Sequence, residues 1–300
     1  MDKAEGRAPV TLGKSLLVPS VQELARKPLA TVPQRYVRED HQDDPSLLKH
    51  TCAPTSPLPS LPVIDLKCLL DSQSAGSELE KLHFACKDWG FFQLVNHGVS
   101  TWLVEKVKSQ TQDFFNLSIE EKQKFWQQPG EIEGFGQAFV VSEEQKLDWA
   151  DMFFMTTLPK YLRKPHLFPM LPLHFRETME EYSLELKNLA MTILEMMAKA
   201  LKIETEELKL LFDDGLQAMR MNYYPPCPQP EQVIGLTPHS DAVGLTILLQ
   251  VNEMEGLQIR KDGMWVPVNP LPNAFVVNIG DILEVTTTYI YLYIYNIIII

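Results

Sequence analysis

His239-Ser240-Asp241 is the pair of residues in this chain whose types and spacing best suit metal binding. On an extended strand, positions i and i+2 face the same way, so this imidazole and carboxylate can converge on one cation. Such a pair, with neighbouring coordination positions open, is two-thirds of the 2-His-1-carboxylate set that holds non-haem Fe(II). By itself the pair carries little weight, because His-x-Asp occurs by chance and a surface imidazole beside a solvated carboxylate is the more ordinary reading. The other histidines read as structural or solvent-facing. His97 lies in the turn Asn96-His97-Gly98, His83 sits on a helix beside Leu82 and Phe84, and His41, His50, His166 and His174 lie in Pro-rich or charged surroundings. Cys227, between prolines, reads as a packed thiol.

The elements that must position the pair follow from periodicity. Residues 1–60 form an arm; residues 1–62 carry nine of the 22 prolines, and Val18, Val21, Leu24 and Ala25 mark a short amphipathic helix. Residues 61–170 begin with the buried-strand pattern LPVIDL, followed by a helix for which Ser77 and Glu80 suggest a capping box. Gly90 terminates that helix, a strand follows over 91–95, and helices are expected over 102–115 and from Ser118. Residues 171–216 hold the longest helical pattern, with Met179, Tyr182, Leu186, Leu189, Ile193, Met197 and Ala200 on one face, and a short helix after Thr205. From 217 to 284 the period changes to 2, with short runs over 218–224, 244–251, 257–260, 264–268 and 274–279, the pattern of an antiparallel sandwich or barrel. The expected architecture is a helical first half followed by a β half. Gly280 is expected to serve a turn at positive φ. The stretch 285–300, VTTTYIYLYIYNIIII, is atypical: uncharged and rich in Tyr and Ile, it favours a strand.

Composition excludes several classes. The 45% hydrophobic and 22% charged content of 300 residues describes a soluble globular chain. Lys+Arg 27 against Asp+Glu 39 gives a net charge of −12, which disfavours a nucleic-acid partner. The run Tyr289–Ile300 is too short to cross a bilayer, which needs roughly 20 apolar residues, so no membrane partner is expected. Four cysteines without a CxxC pair fit a reducing, cytoplasmic setting.

Longer motifs surround the pair: Arg220-Met221-Asn222-Tyr223-Tyr224-Pro225-Pro226-Cys227-Pro228, then TPHSDAVGLTILLQ from Thr237, Trp265-Val266-Pro267-Val268 and Asn278-Ile279-Gly280-Asp281. Together with LPVIDL and the segment His83–Gly98, they closely resemble the plant 2-oxoglutarate/Fe(II)-dependent dioxygenases over residues 15–284, nearest the senescence-related oxidase and codeine/thebaine O-demethylase branch. The resemblance implies an α+β fold, a double-stranded β-helix (jelly roll) with helices packed around it, truncated at its C-terminal end. It implies His239 and Asp241 as iron ligands, Tyr224 on the 2-oxoglutarate carboxylate, Asn222 beside it, and Phe135, Phe139 and Val141 along the substrate pocket. It also implies Fe(II), 2-oxoglutarate and O2, with ascorbate as reductant, in a monomer acting on a small plant metabolite. The reaction would be hydroxylation or O-demethylation coupled to decarboxylation of 2-oxoglutarate to succinate. The family pattern continues with a second iron-binding His and an Arg-x-Ser, yet no His follows His239 and no Arg follows Arg260. The alternative reading is therefore a catalytically impaired form or a non-catalytic binding remnant.

Overall fold

The computed structural model describes residues 15–38, 59–137, 139–212, 215–286 and 297–299. His41, His50, Cys52 and most of the Tyr/Ile-rich tail lie outside the described residues. The arm carries the expected helix, α1 (Val21–Ala25), capped by Ser20. What fixes it is a carboxylate 130 positions away: the buried Asp151 accepts hydrogen bonds from Ser20 Oγ (2.6 Å), Val21 N (2.8 Å) and Gln22 N (3.0 Å). Beneath them the fully buried Lys122 ammonium donates to Gln22 Oε1 and to Phe115 O (3.1 Å). Burial pushes the Asp151 carboxyl above its ordinary pKa, although the three donors pull the other way. Removing it thus relieves some desolvation while stranding three donors. Asp151→Ala is expected to lower stability by about 2–3 kcal/mol, read as a fall in the urea midpoint, with the arm the first segment to gain protease sensitivity.

Strand β1 (Val63–Asp65) runs directly into α2 (Leu66–Leu70) and then α3 (Ala75–Phe84). The capping box does not form. The helix starts at Ala75 after Ser74, whose hydroxyl donates instead to Cys68 O (2.9 Å) and Asp71 (3.1 Å). Ser77 and Glu80 therefore lie inside the helix, and the buried Glu78, one turn in, accepts from the Asp65 backbone N–H (2.8 Å). A π-helical turn (Ala85–Trp89) ends at Gly90 with φ 63°, as expected of a left-handed terminator. Then come β2 (Phe91–Val95), α4 (Thr101–Asn116), α5 (Ile119–Gln123), capped by Ser118 as the sequence predicts, β3 (Gly134–Gly136) and β4 (Asp151–Leu158). The long helix α6 (Leu173–Leu201) is followed by α7 (Thr205–Phe212). The β-rich part supplies β5 (Gln217–Tyr223), β6 (Leu236–His239), β7 (Leu245–Leu248), β8 (Leu257–Lys261), β9 (Met264–Pro267), β10 (Phe275–Ile279), α8 (Asp281–Thr286) and β11 (Ile297–Ile299).

The division into a helical half and a β half needs correction. The N-terminal strands β1 and β2 share a sheet with β10 and β7, in the order β1-β2-β10-β7, while β3-β4-β5 form a second sheet. The eight-residue β4 escapes the period-2 test because it is buried on both faces and reads as a continuous apolar run. A third sheet, β6-β11-β8-β9, takes the tail strand between β6 and β8 and pairs it on both sides. The main core joins Met179, Ile193 and Met197 of α6 to Phe114, Phe153, Phe275 and Val277. Each large apolar side chain buried there contributes about 1.5–3 kcal/mol. That core backs both β5 and β10, the strands that frame the site.

Candidate active site

His239 ends β6, and Asp241 lies two residues on, beyond the strand. Strand alternation therefore does not explain their convergence. The loop 240–244 is instead clamped from outside. Asp281 N–H donates to Asp241 O (2.8 Å), Gly280 N–H to Gly244 O (2.9 Å) and Ser240 Oγ to Asp281 (3.2 Å). On the side chain, Asp241 Oδ2 accepts from Thr246 Oγ1 (2.6 Å) and from Asn278 Nδ2 (2.8 Å). Those bonds leave Oδ1 facing His239 Nε2 at 3.4 Å. The His239 Nδ1 lies 2.9 Å from Thr237 O, to which only a protonated nitrogen can donate, so Nε2 carries the free lone pair of the neutral ring. Burial raises the Asp241 carboxyl, but its bonds to His239, Thr246 and Asn278 outweigh that and hold it at about 2. Burial acts against a charged His239 as well, yet the Asp241 carboxylate and the Thr237 carbonyl raise its pKa overall.

On β5, Arg220 Nε donates to Asn222 Oδ1 (2.8 Å), and the Arg220 charge is felt at both Tyr224 and His239. Tyr224 follows the strand. Its hydroxyl is buried without a hydrogen-bond partner, and burial raises its pKa. A buried hydroxyl with no protein partner is free to donate to a ligand oxygen, although the Arg220 and Asp148 charges act on it in opposite senses. Chemically, His239 Nε2 and Asp241 Oδ1 fit two positions on Fe(II), and Tyr224 fits a keto-acid carboxylate. Among the described residues no group of three or more His, Cys, Asp and Glu gathers to hold a metal, so the two side chains here are a partial ligand set. Tyr224→Phe is expected to raise KM for 2-oxoglutarate about tenfold, the loss of one hydrogen bond to a charged group. The metal-free protein should keep or slightly gain stability, because an unpaired polar group has left the interior. Urea unfolding and a 2-oxoglutarate titration check the two halves.

The remaining sequence candidates fall elsewhere. Phe135 is fully buried among Phe114, Phe115 and Trp126, with Lys122 Nζ 5.4 Å from its ring centre, so it is core and not pocket wall. Phe139, at φ 61°, and Val141 are exposed on the loop that the arm crosses, where Leu16 N–H donates to Val140 O (2.8 Å). His97 bonds Asn273 O (3.1 Å) and accepts from Val99 N–H (3.2 Å), and Cys227 is a partly buried free thiol. A surface groove lined by Pro62, Val63, Ser77, Glu80, Lys81 and Phe84 shares no residue with the site. Thr246, Asn278 and Arg220 were missed as functional residues. The available signal was a polar residue inside an apolar strand run, as in Val277-Asn278-Ile279.

Known proteins resemble this chain in sequence and fold. Two family profiles match the chain: non-haem dioxygenase in morphine synthesis N-terminal, over residues 61–171, and the 2OG-Fe(II) oxygenase superfamily, over residues 215–292. Protein SRG1 of Arabidopsis thaliana is 62% identical over 280 residues, covering 91% of this chain and 76% of that protein. Thebaine 6-O-demethylase of Papaver somniferum is 56% identical over 285 residues, covering 93% of this chain and 78% of the relative. The crystal structure of JOX2 in complex with 2OG, Fe and JA superposes with a TM-score of 0.80 at 33% identity, covering 94% of this chain and 79% of that one.

Proposed function

The chain belongs to the plant 2-oxoglutarate/Fe(II)-dependent dioxygenase family, with its helix-flanked jelly roll, and from that membership we propose that it removes the methyl group of a small methoxylated plant metabolite. Oxidation coupled to 2-oxoglutarate is the family's chemistry; O-demethylation is the finer reading, supported by the kinship to thebaine 6-O-demethylase. The observation that carries the site assignment is the convergence of His239 Nε2 and Asp241 Oδ1 at 3.4 Å.

Bound Fe(II) supplies the O2 chemistry. The chain's own residues supply placement. Thr246 and Asn278 occupy one carboxylate oxygen of Asp241 so that the other is presented to the metal. Thr237 O fixes the His239 tautomer. Tyr224 would donate a hydrogen bond from its hydroxyl to a carboxylate oxygen of the keto acid, with the charges of Arg220 and Asp148 acting on that hydroxyl in opposite senses. In the net reaction a methyl ether, 2-oxoglutarate and O2 give the free hydroxyl compound, formaldehyde, succinate and CO2. Purified protein given Fe(II), ascorbate, 2-oxoglutarate and a panel of methoxylated flavonoids and alkaloids should release formaldehyde and succinate in equal amounts with at least one. Succinate formation without formaldehyde, together with a hydroxylated product, would replace demethylation by hydroxylation.

The impaired or non-catalytic alternative has no support over this reading in the kinship to thebaine 6-O-demethylase and the match to the 2OG-Fe(II) oxygenase superfamily. A cytoplasmic monomer fits free thiols at Cys68, Cys86 and Cys227 and a net charge of −12. Among the described residues no helix is long and apolar enough to cross a membrane.

A further inference from the structure

We propose that Arg38 of the N-terminal arm and Asp148 are positioning residues for the iron ligand His239, acting through Thr237. The inference rests on the reading of His239 as a ligand. Arg38 Nη2 donates both to Asp148 Oδ1 (3.0 Å) and to Thr237 Oγ1 (2.6 Å). The same carboxylate oxygen accepts from Thr237 N (3.2 Å) and from Thr237 Oγ1 (2.5 Å). Thr237 is therefore held at its amide and at its hydroxyl, while its carbonyl oxygen lies 2.9 Å from His239 Nδ1. A guanidinium, a carboxylate and a threonine thus fix the one backbone oxygen that sets the tautomer and direction of the imidazole.

The pieces come from distant parts of the chain. Arg38 and Thr237 are 199 positions apart, and the Arg38–Asp148 ion pair is mostly shielded, with side-chain exposures of 12% and 24%. An exposed pair would count for little, but shielding and three-way geometry make this one specific. The arm is also pinned around it: Arg38 N–H donates to Gln232 O (2.9 Å), and Tyr36 packs edge-on against Trp149 at 5.2 Å. Trp149 in turn donates from its indole to Pro225 O (3.0 Å), next to Tyr224. Anchoring of the arm could be the whole role of these contacts, and Arg35 tests that. Its guanidinium ties the same arm to Gln145 O (3.3 Å) and Ser142 O (3.0 Å) without touching Thr237.

The experiment titrates the full chain with Co(II) as a redox-inert stand-in for Fe(II), reading ligand-field absorption, alongside urea unfolding of each metal-free variant. Arg38→Ala and Asp148→Asn are expected to weaken Co(II) binding about tenfold, the lower end for groups one bond removed from a ligand's partner. Thr237→Val should do the same, Thr237→Ser, which keeps the hydroxyl, should bind within twofold of wild type, and Arg35→Ala should leave affinity unchanged. If Arg38→Ala does not fold, the Thr237 pair decides. Equal affinity for Thr237→Val and wild type, or equal weakening by Arg35→Ala and Arg38→Ala, overturns the proposal in favour of plain anchoring. His239→Ala separates the premise: undiminished Co(II) binding there would remove His239 as a ligand and the positioning role with it.

Discussion

Asp241→Ala should reduce Fe(II) affinity by at least about a hundredfold, since even partners outside the ligand set are worth 10–100-fold. On the proposed reading the carboxylate would bring the site's negative charge to the metal, and its orientation is set in advance by Thr246 and Asn278, which hold Oδ2 at 2.6 and 2.8 Å. Deleting it removes one donor and strands two others. Thr246→Val and Asn278→Ala, which free the carboxylate to rotate, should each weaken Fe(II) binding about tenfold or more without removing any ligand. The substitution also touches stability. Asp241 titrates at about 2 in the folded metal-free protein against 3.8 as a free side chain, a difference of about 2 kcal/mol. Because the folded-state value is depressed, that contribution is fully present above the unfolded pKa and fades as pH falls toward 2. Asp241→Ala should therefore unfold at lower urea than wild type at pH 7, and the gap between the two should close in acid. Calorimetric titration with Fe(II) under anaerobic conditions reads the first effect and urea midpoints against pH the second. Wild-type affinity in Asp241→Ala would dismiss the site.

What could be read from the chain was whatever is local. Helix α6 announces itself through apolar residues from Met179 to Met197 at helical spacing, all on the face that meets the core. The His-x-Asp spacing likewise singled out two side chains whose donor atoms the structure brings to 3.4 Å. The reason first given for that convergence does not hold, however, because β6 stops at His239 and the loop is shaped by α8 and β10. Long-range use of a residue defeats local motifs. Asp151 caps a helix 130 positions earlier, and Phe135, expected along the substrate pocket, packs instead against Phe114 of α4 and Trp126 just past α5. Among residues that orient others, Thr246 and Asn278 show only as polar positions within apolar runs, and Asp148 has no pattern of its own. Their role exists only once the partners are adjacent.

Gly280 is the sharpest instance, and its replacement should be as damaging as loss of a ligand. It does not adopt the positive φ expected for it; among the described glycines that region holds Gly90, Gly98, Gly130, Gly134, Gly136 and Gly263. The requirement is space. A Cβ at Gly280 would stand 2.1 Å from Val243 O and 2.7 Å from Asp241 O, both backbone atoms that cannot swing aside. The same loop receives the hydrogen bonds of Gly280, Asp281 and Ile282 N–H. Gly280→Ala must push the loop outward by about 1 Å to restore contact distance, and a displacement of that size at a reacting centre can cost about a hundredfold in rate. Overpacking adds about 1–3 kcal/mol of destabilisation. Gly263 supplies the contrast. It sits at φ 80° between β8 and β9 with nothing within 4 Å of a Cβ, so Gly263→Ala should cost about 1–2 kcal/mol through its backbone conformation alone. Its Fe(II) affinity should match wild type. If instead both variants lose stability equally and both keep full metal affinity, the close approach of Gly280 to the metal-binding loop has no functional consequence, and the clamp on Asp241 must reside in its side-chain bonds alone.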